Sequence, residues 1–391
     1  MDLEIETVWK EQLRSLTDRG RFRRLRTCTH LPGGRARIGD REYINLSSND
    51  YLGLAENPMV LERARRALEE FGPGARASRL VTGDLPIHRE LETRLAHFKN
   101  TDTALSFSSG YHANLGIITS LAGSDFDIFS DELNHASIVD GCRLSRASVN
   151  IYPHLDLDGL AGMLEASERR KLVITEGVFS MDGDMPDLGR LTGLCRKHAA
   201  LLMVDDAHGT GVLGEGGRGS INARGIDAEV QVSMGTLSKA LASQGGFACT
   251  DNVVREVLVN QSRSLLYTTA LAPSSAGAAL GALDVMENDP DMGKGLLERA
   301  RWIRESIQDM GLDTLGSQTQ IIPVLAGRDR TAVSLSEKLL SRGVLAPAMR
   351  PPTVKEGQCR LRLSVCLSHD DSDLERTLDA LSRTAAEVGL K

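Results

Sequence analysis

The chain has 391 residues, 41% hydrophobic and 25% charged, with a formal net charge of −7 at pH 7. That length supports a large core spread over two domains, and the acidic balance, with no arginine-rich stripe interleaved with aromatics, argues against a nucleic-acid partner. No run of 18 apolar residues is present to cross a membrane, the acidic start Met1-Asp-Leu-Glu-Ile-Glu6 lacks a signal's apolar region, and six scattered cysteines form no C-x-x-C pair; a cytoplasmic protein with reduced thiols and no metal site is expected.

In chain order, Val8, Leu13 and Leu16 predict an amphipathic helix over 6–18, and the alternation in Arg41-Glu-Tyr-Ile-Asn-Leu46 predicts an exposed strand. Residues 1–45 thus read as an N-terminal helix-and-strand segment. Over 46–288, apolar runs at 103–107, 126–129, 171–175, 201–204, 229–233 and 246–250 alternate with helical patterns at 59–71, 86–98, 113–121, 156–166 and 188–198. That rhythm predicts an α/β fold, with a mostly parallel central sheet covered on both faces of a large domain. After the turn Asn288-Asp-Pro-Asp-Met292, helices at 292–310, 331–341 and 371–388 and strands at 321–325 and 360–365 predict a smaller α+β C-terminal domain, 289–391.

Ligands of open parallel sheets bind at the carboxyl ends of the strands, and chemistry-bearing residues gather just after those ends. Ser108-Ser-Gly-Tyr-His112 precedes a helical pattern and offers free backbone N–H groups to an anion. Asp131-Glu-Leu-Asn-His135 brings a histidine, and Asp205-Asp-Ala-His208 an acid with a histidine three residues on. Ser233-Met-Gly-Thr-Leu-Ser-Lys239 carries a lysine whose nearest charged neighbour in sequence is Glu229, a setting that favours a neutral, nucleophilic amine. Singly, each has an ordinary reading as helix cap, salt bridge or surface lysine. Gly209-Thr-Gly211-Val-Leu-Gly214 matches the dinucleotide fingerprint G-x-G-x-x-G, but the following Glu215-Gly-Gly-Arg-Gly219 cannot open the helix that fingerprint needs.

Together these segments resemble the large domain of fold-type I pyridoxal 5'-phosphate (PLP) enzymes of aminotransferase-like fold, and most nearly the α-oxoamine synthases. Asn49-Asp-Tyr-Leu-Gly-Leu54, Thr175-Glu-Gly-Val-Phe-Ser-Met-Asp-Gly-Asp184, Arg350-Pro-Pro-Thr-Val354 and Arg360-Leu-Arg-Leu363 extend the resemblance from about residue 40 to the C-terminus. It implies that Lys239 holds PLP as a Schiff base and transfers protons, and that Asp205 keeps the pyridine nitrogen protonated. His208 would bond the phenolic oxygen with Ser180 in support, His135 would stack on the ring, and Gly110, Tyr111 and Thr236 would hold the phosphate. Arg362 would pair with the amino acid carboxylate, Asn49, Thr353 and Arg24 would line the substrate site, and His135 or His208 would polarise a thioester carbonyl.

The implied reaction is decarboxylative acyl transfer in a homodimer whose active site sits at the subunit interface. L-alanine would condense with a pimeloyl thioester of coenzyme A or acyl carrier protein. Arg350-Pro-Pro-Thr-Val354 favours these substrates over the glycine or serine and other acyl-CoA of sister synthases, which tend to carry Tyr-Pro there. An aminotransferase and a catalytically idle binding or regulatory protein share the scaffold; intact Lys239, Asp205, His208, His135 and Arg362 weigh against the latter.

Overall fold

The computed structural model describes residues 4–19 and 21–390. It divides into two units, one of residues up to Ser48, Met181–Gly183 and from Arg299 on, the other of Asn49–Ser180 and Asp184–Glu298. The division near the C-terminal side falls inside the helix Met292–Asp309, beyond the turn at 288–292 that the sequence marks as a boundary.

The smaller unit begins with the helix Glu4–Asp18 and an antiparallel meander of β1 (Thr29–Leu31), β2 (Arg35–Ile38) and β3 (Arg41–Asn45). The larger unit supplies β4 (Thr103–Phe107), β5 (Phe126–Asp131), β6 (Ser148–Tyr152), β7 (Arg170–Glu176), β8 (Ala200–Asp205), β9 (Val232–Thr236) and β10 (Gly246–Thr250). The chain then returns to the smaller unit with β11 (Ile321–Gly327), β12 (Val344–Leu345), β13 (Ala348–Met349) and β14 (Cys359–Ser364). There β12 adds in parallel to β3, while β11, β14 and β13 form a separate antiparallel sheet.

The larger unit holds a seven-stranded sheet in the order β4-β10-β9-β8-β7-β5-β6. Pairing is parallel from β9 through β8, β7 and β5 to β6, and β10 runs antiparallel to both β9 and β4. Alternate residues feed two separate cores, as a doubly covered sheet requires. Ile128, Leu172, Ile174 and Met203 pack on one face with Ile117 of the helix Gly110–Leu121. Phe129, Val173, Leu202 and Val204 pack on the other with Leu188 and Leu191 of the helix Leu188–Lys197.

The apolar runs predicted at 103–107 and 246–250 are strands with those bounds, and the helical patterns over 86–98 and 188–198 agree to within a residue. β9 lies three residues beyond the predicted run at 229–233, because Asp227–Glu229 forms a 3-10 turn and pairing with β10 recruits Gly235 and Thr236. β6 and the helices Ala136–Ser145, Asn252–Gln261 and Pro273–Asn288 are absent from the sequence reading. The last is built largely of small residues, Ala276, Gly277, Ala279, Gly281 and Ala282 among them, and packs closely on the helix Pro58–Phe71, where a side chain at Gly277 would meet the Arg63 carbonyl.

One close approach fixes where the helix Gly110–Leu121 begins. A Cβ on Gly246 would lie 2.6 Å from the Ser109 carbonyl oxygen and 2.7 Å from Gly110 Cα, so backbone would have to move. Gly246→Ala is therefore expected to cost about 1–3 kcal/mol of stability, measured as a lowered midpoint in denaturant unfolding with unchanged slope.

Candidate active site

β4, β5, β7, β8 and β9 deliver their carboxyl ends to one side of the sheet, and the residues leaving those ends enclose a cavity of about 210 Å³. Gly110, Tyr111, His135, Asp205, His208, Thr236 and Lys239 all line it. A more open cleft of about 410 Å³ lies by the start of β4, lined by Arg89, His97, Asp102 and Arg255. It faces the amino ends of the parallel strands, the side that open α/β sheets do not use for ligands.

One end of the cavity is formed by the start of a helix. Ser109 caps the helix Gly110–Leu121, its hydroxyl accepting from His112 N–H at 3.1 Å. Gly110 has no Cβ, and one placed there would lie 3.3 Å from the Thr236 side chain, so the helix start and Thr236 adjoin. The Thr236 hydroxyl donates to Gly245 O at 2.8 Å and accepts from Ser238 N–H at 3.2 Å. The Tyr111 hydroxyl donates to Asp140.

The acid sits on the opposite wall, placed by strand alternation. Asp205 shares the face of Met203, and its two oxygens accept from the Asn114 amide at 2.8 Å and from Ala207 N–H at 3.0 Å. Asp206 takes the opposite direction into a buried cluster, where Lys99 Nζ donates to it at 2.7 Å and Ser220 Oγ at 2.6 Å. The pairing partner of Asp205 on β7 is Glu176, whose Oε1 accepts from His135 N–H at 2.6 Å. Burial pushes the Glu176 carboxyl well above its ordinary range, and the charge on Asp205 adds to the effect while Lys239 opposes it. Burial also lowers the His135 pKa, with Asp205 opposing and Lys239 assisting, which favours a neutral ring. That ring's Nδ1 lies 2.7 Å from Ser137 Oγ, which accepts from Asn114 Nδ2 at 2.9 Å.

Lys239 lies three residues past β9, its Nζ 2.9 Å from His208 Nε2. His208 Nδ1 lies 2.6 Å from the Tyr51 hydroxyl, which donates to Asn49 Oδ1 at 3.2 Å. Which ring nitrogen carries the proton follows from how the Tyr51 hydroxyl is turned, and a proton can pass between Lys239 Nζ and His208 Nε2.

Ser180 is half-buried in the turn after β7 and is not among the residues lining the cavity. In the smaller unit, Arg362 is buried on β14 with Nη1 donating to Ser364 Oγ at 2.9 Å, Thr353 is exposed in a turn closed by its N–H on Arg350 O, and Arg24 is exposed in a segment without regular secondary structure. Asn114, Ser137, Glu176 and Met234 also line the cavity without having been assigned a role from sequence. Two had a legible signal: Asn114 is one helical turn beyond Gly110, and Glu176 ends a strand as Asp205 does. Gly209–Gly214 runs through turns into a three-residue 3-10 turn, so no helix receives the G-x-G-x-x-G segment.

The aminotransferase class I and II family profile matches residues 41–381. The chain belongs to that family. Within it the α-oxoamine synthases are its group: the 8-amino-7-oxononanoate synthase of Geobacter sulfurreducens is 47% identical over 386 residues, 97% of this chain and 98% of that protein. A serine palmitoyltransferase variant from S. paucimobilis, solved with a bound PLP–myriocin adduct, superposes with a TM-score of 0.93 at 29% identity over the whole of both chains. The 8-amino-7-oxononanoate synthase of Francisella tularensis superposes at 0.76 with 28% identity, over 88% of this chain and 98% of that one. The family's fold-type I architecture is the one described above. No helix among the described residues is long and apolar enough to cross a membrane.

The loop bearing Ser180 is tied back to β5 by His154, whose ring nitrogens lie 2.8 Å from Asp131 and 2.8 Å from Asp184, edge-on to Phe179. Burial alone would lower its pKa, but the two carboxylates outweigh burial and raise it to about 9. A raised folded pKa contributes stability in full below the unfolded value of about 6.5 and loses it as pH rises through about 9. Denaturant unfolding at pH 6 and pH 9.5 is expected to show this loss in the wild type and a reduced loss in His154→Gln.

Proposed function

We propose that this chain condenses L-alanine with a pimeloyl thioester, releasing CO₂ and the free thiol, to give 8-amino-7-oxononanoate for biotin synthesis, with PLP as cofactor. The observation that carries the reading is the set of Lys239, His208, Asp205 and the capped start of the helix Gly110–Leu121 around one cavity, in a chain 47% identical along its length to a named 8-amino-7-oxononanoate synthase.

The residues fit that cofactor. The cavity has a primary amine for an aldehyde, an acid for a ring nitrogen, and for a phosphate the N–H groups of a helix start and, once turned from Gly245 O, the Thr236 hydroxyl. Asn114 Oδ1 is buried without a hydrogen-bond partner among the described residues, a polar atom on the cavity wall still to be satisfied. Bound PLP acts as an electron sink for charge developing at the substrate α-carbon. Lys239 anchors the aldehyde carbon and carries the α-proton, and His208 exchanges protons with Lys239 through Nε2. Tyr51 and Asn49 hold the His208 ring by Nδ1. Asp205, fixed by Asn114 and Ala207 N–H, is the acid offered to the ring nitrogen. His135 supplies a flat neutral face, and Ser180 supports the region of the phenolic oxygen.

The planar fork of Arg362 suits the alanine carboxylate, and Arg24, Asn49 and Thr353 complete the substrate site. The working form is a cytoplasmic homodimer with its active site at the subunit interface, using coenzyme A or acyl carrier protein as acyl donor. A sister reaction with glycine or serine is the second reading, favoured by the closeness of the serine palmitoyltransferase backbone; the 47% relative outweighs that 29% match.

Lys239→Ala is expected to lower turnover at least about 10³-fold; substantial turnover by this variant with alanine and pimeloyl-CoA would sink the mechanism. In a mass-spectrometric screen of alanine, glycine and serine against several acyl thioesters, the wild type is expected to release CO₂ with alanine and pimeloyl-CoA. Release with glycine but not alanine would move the assignment to a sister synthase.

A further inference from the structure

Glu176 and Asp205 are direct partners in the parallel register of β7 and β8, on strands about 4.8 Å apart. Both side chains line the one cavity, and the residues are 2% and 6% exposed. Three ionisable groups act on Glu176, Asp205 from β8, Asp131 at the end of β5 and Lys239 beyond β9, and His135 reaches it through its backbone N–H. Of these, Lys239 is the one base, and burial of the His135 ring favours its neutral form. Charging both carboxylates of a directly paired, buried couple is unfavourable, so one of the two takes a proton first.

The hydrogen bonds decide which of the two keeps the charge. Asp205 has a donor on each oxygen, the Asn114 amide and Ala207 N–H. Glu176 has one donor among the described residues, His135 N–H, on Oε1. More donors stabilise the charged form at Asp205.

We propose that Glu176 is a positioning residue of the cofactor site that stays a neutral carboxylic acid, leaving Asp205 as the one anion on the cavity floor. The proposal rests on the PLP reading but not on which amino acid or thioester is used. A neutral Glu176 holds the His135 backbone while adding no second charge. An ionised Glu176 would give the pair a proton affinity of its own, and the two carboxylates would compete with the ring nitrogen for the proton that nitrogen needs.

The test compares the PLP-loaded wild type with Glu176→Gln, which keeps the volume and the acceptor for His135 N–H. Infrared difference spectra at pH 7 are expected to show a protonated carboxylic C=O band in the wild type that the variant lacks. A carboxyl that must bind a proton to fold loses stability as pH rises above its unfolded value of about 4.5. The melting temperature of Glu176→Gln relative to wild type is therefore expected to rise by several degrees between pH 5 and pH 8. A missing band, or a melting difference that stays flat over that range, overturns the proposal. In Asp205→Asn, with the neighbouring charge removed, the same band is expected to disappear at lower pH; an unshifted loss overturns the shared-charge account. Failure of the alanine reaction would leave the infrared result untouched, so the two readings fail separately.

Discussion

Parallel registration of β7, β8 and β9 is the constraint on which the site depends. It sets Glu176 beside Asp205, and Asp205 beside Met234, at the ends of neighbouring strands. Because side chains alternate at period two, the face that buries Ile174 and Met203 also turns Glu176 and Asp205 into the cavity. Slipping any of these strands by one residue would bury the wrong acid and expose apolar core, so packing and chemistry enforce the same register. The helix Gly110–Leu121 lies on that face and gives both its capped start and the Asn114 amide to the site.

The two adjacent acids Asp205 and Asp206 show how position decides role. Asp206 is fully buried against Lys99, whose ammonium also donates to Thr210 Oγ1 and Arg218 O. With every ammonium proton and both carboxylate oxygens bonded, that pair is a closed structural unit, and removing either partner would strand a buried charge at a cost of several kcal/mol. Asp205 has two donors and, among the described residues, no cation bonded to it, so it stays available to the cavity. The same Asp-Asp dipeptide thus anchors a core on one face of the sheet and serves the site on the other.

Much of this was legible in the chain itself. The strands at 103–107 and 246–250 are bounded by turns and carry their apolar residues locally, and Lys239 stands out by its distance from other charges. What was not legible came from long-range pairing. Gly235 is a poor strand former, and it joins β9 with Thr236 because β10 returns antiparallel beside it. The Pro273–Asn288 helix is too small-residued to show an amphipathic face, yet that smallness lets it approach the helix Pro58–Phe71. Glu176 and Asn114 acquire significance through neighbours 29 and 91 positions away in the chain, information that no local window contains.

The parallel pairing of β3 with β12, Ile44 against Val344, also constrains how the molecule is made. At ordinary translation speeds about 300 residues take roughly 15–60 s to emerge, so the first meander of a nascent polypeptide waits that long for its last partner. Throughout that interval one flank of β3 offers unmet backbone groups. Emergence of Val344 and Leu345, rather than completion of the seven-stranded sheet, is what allows this edge to be covered.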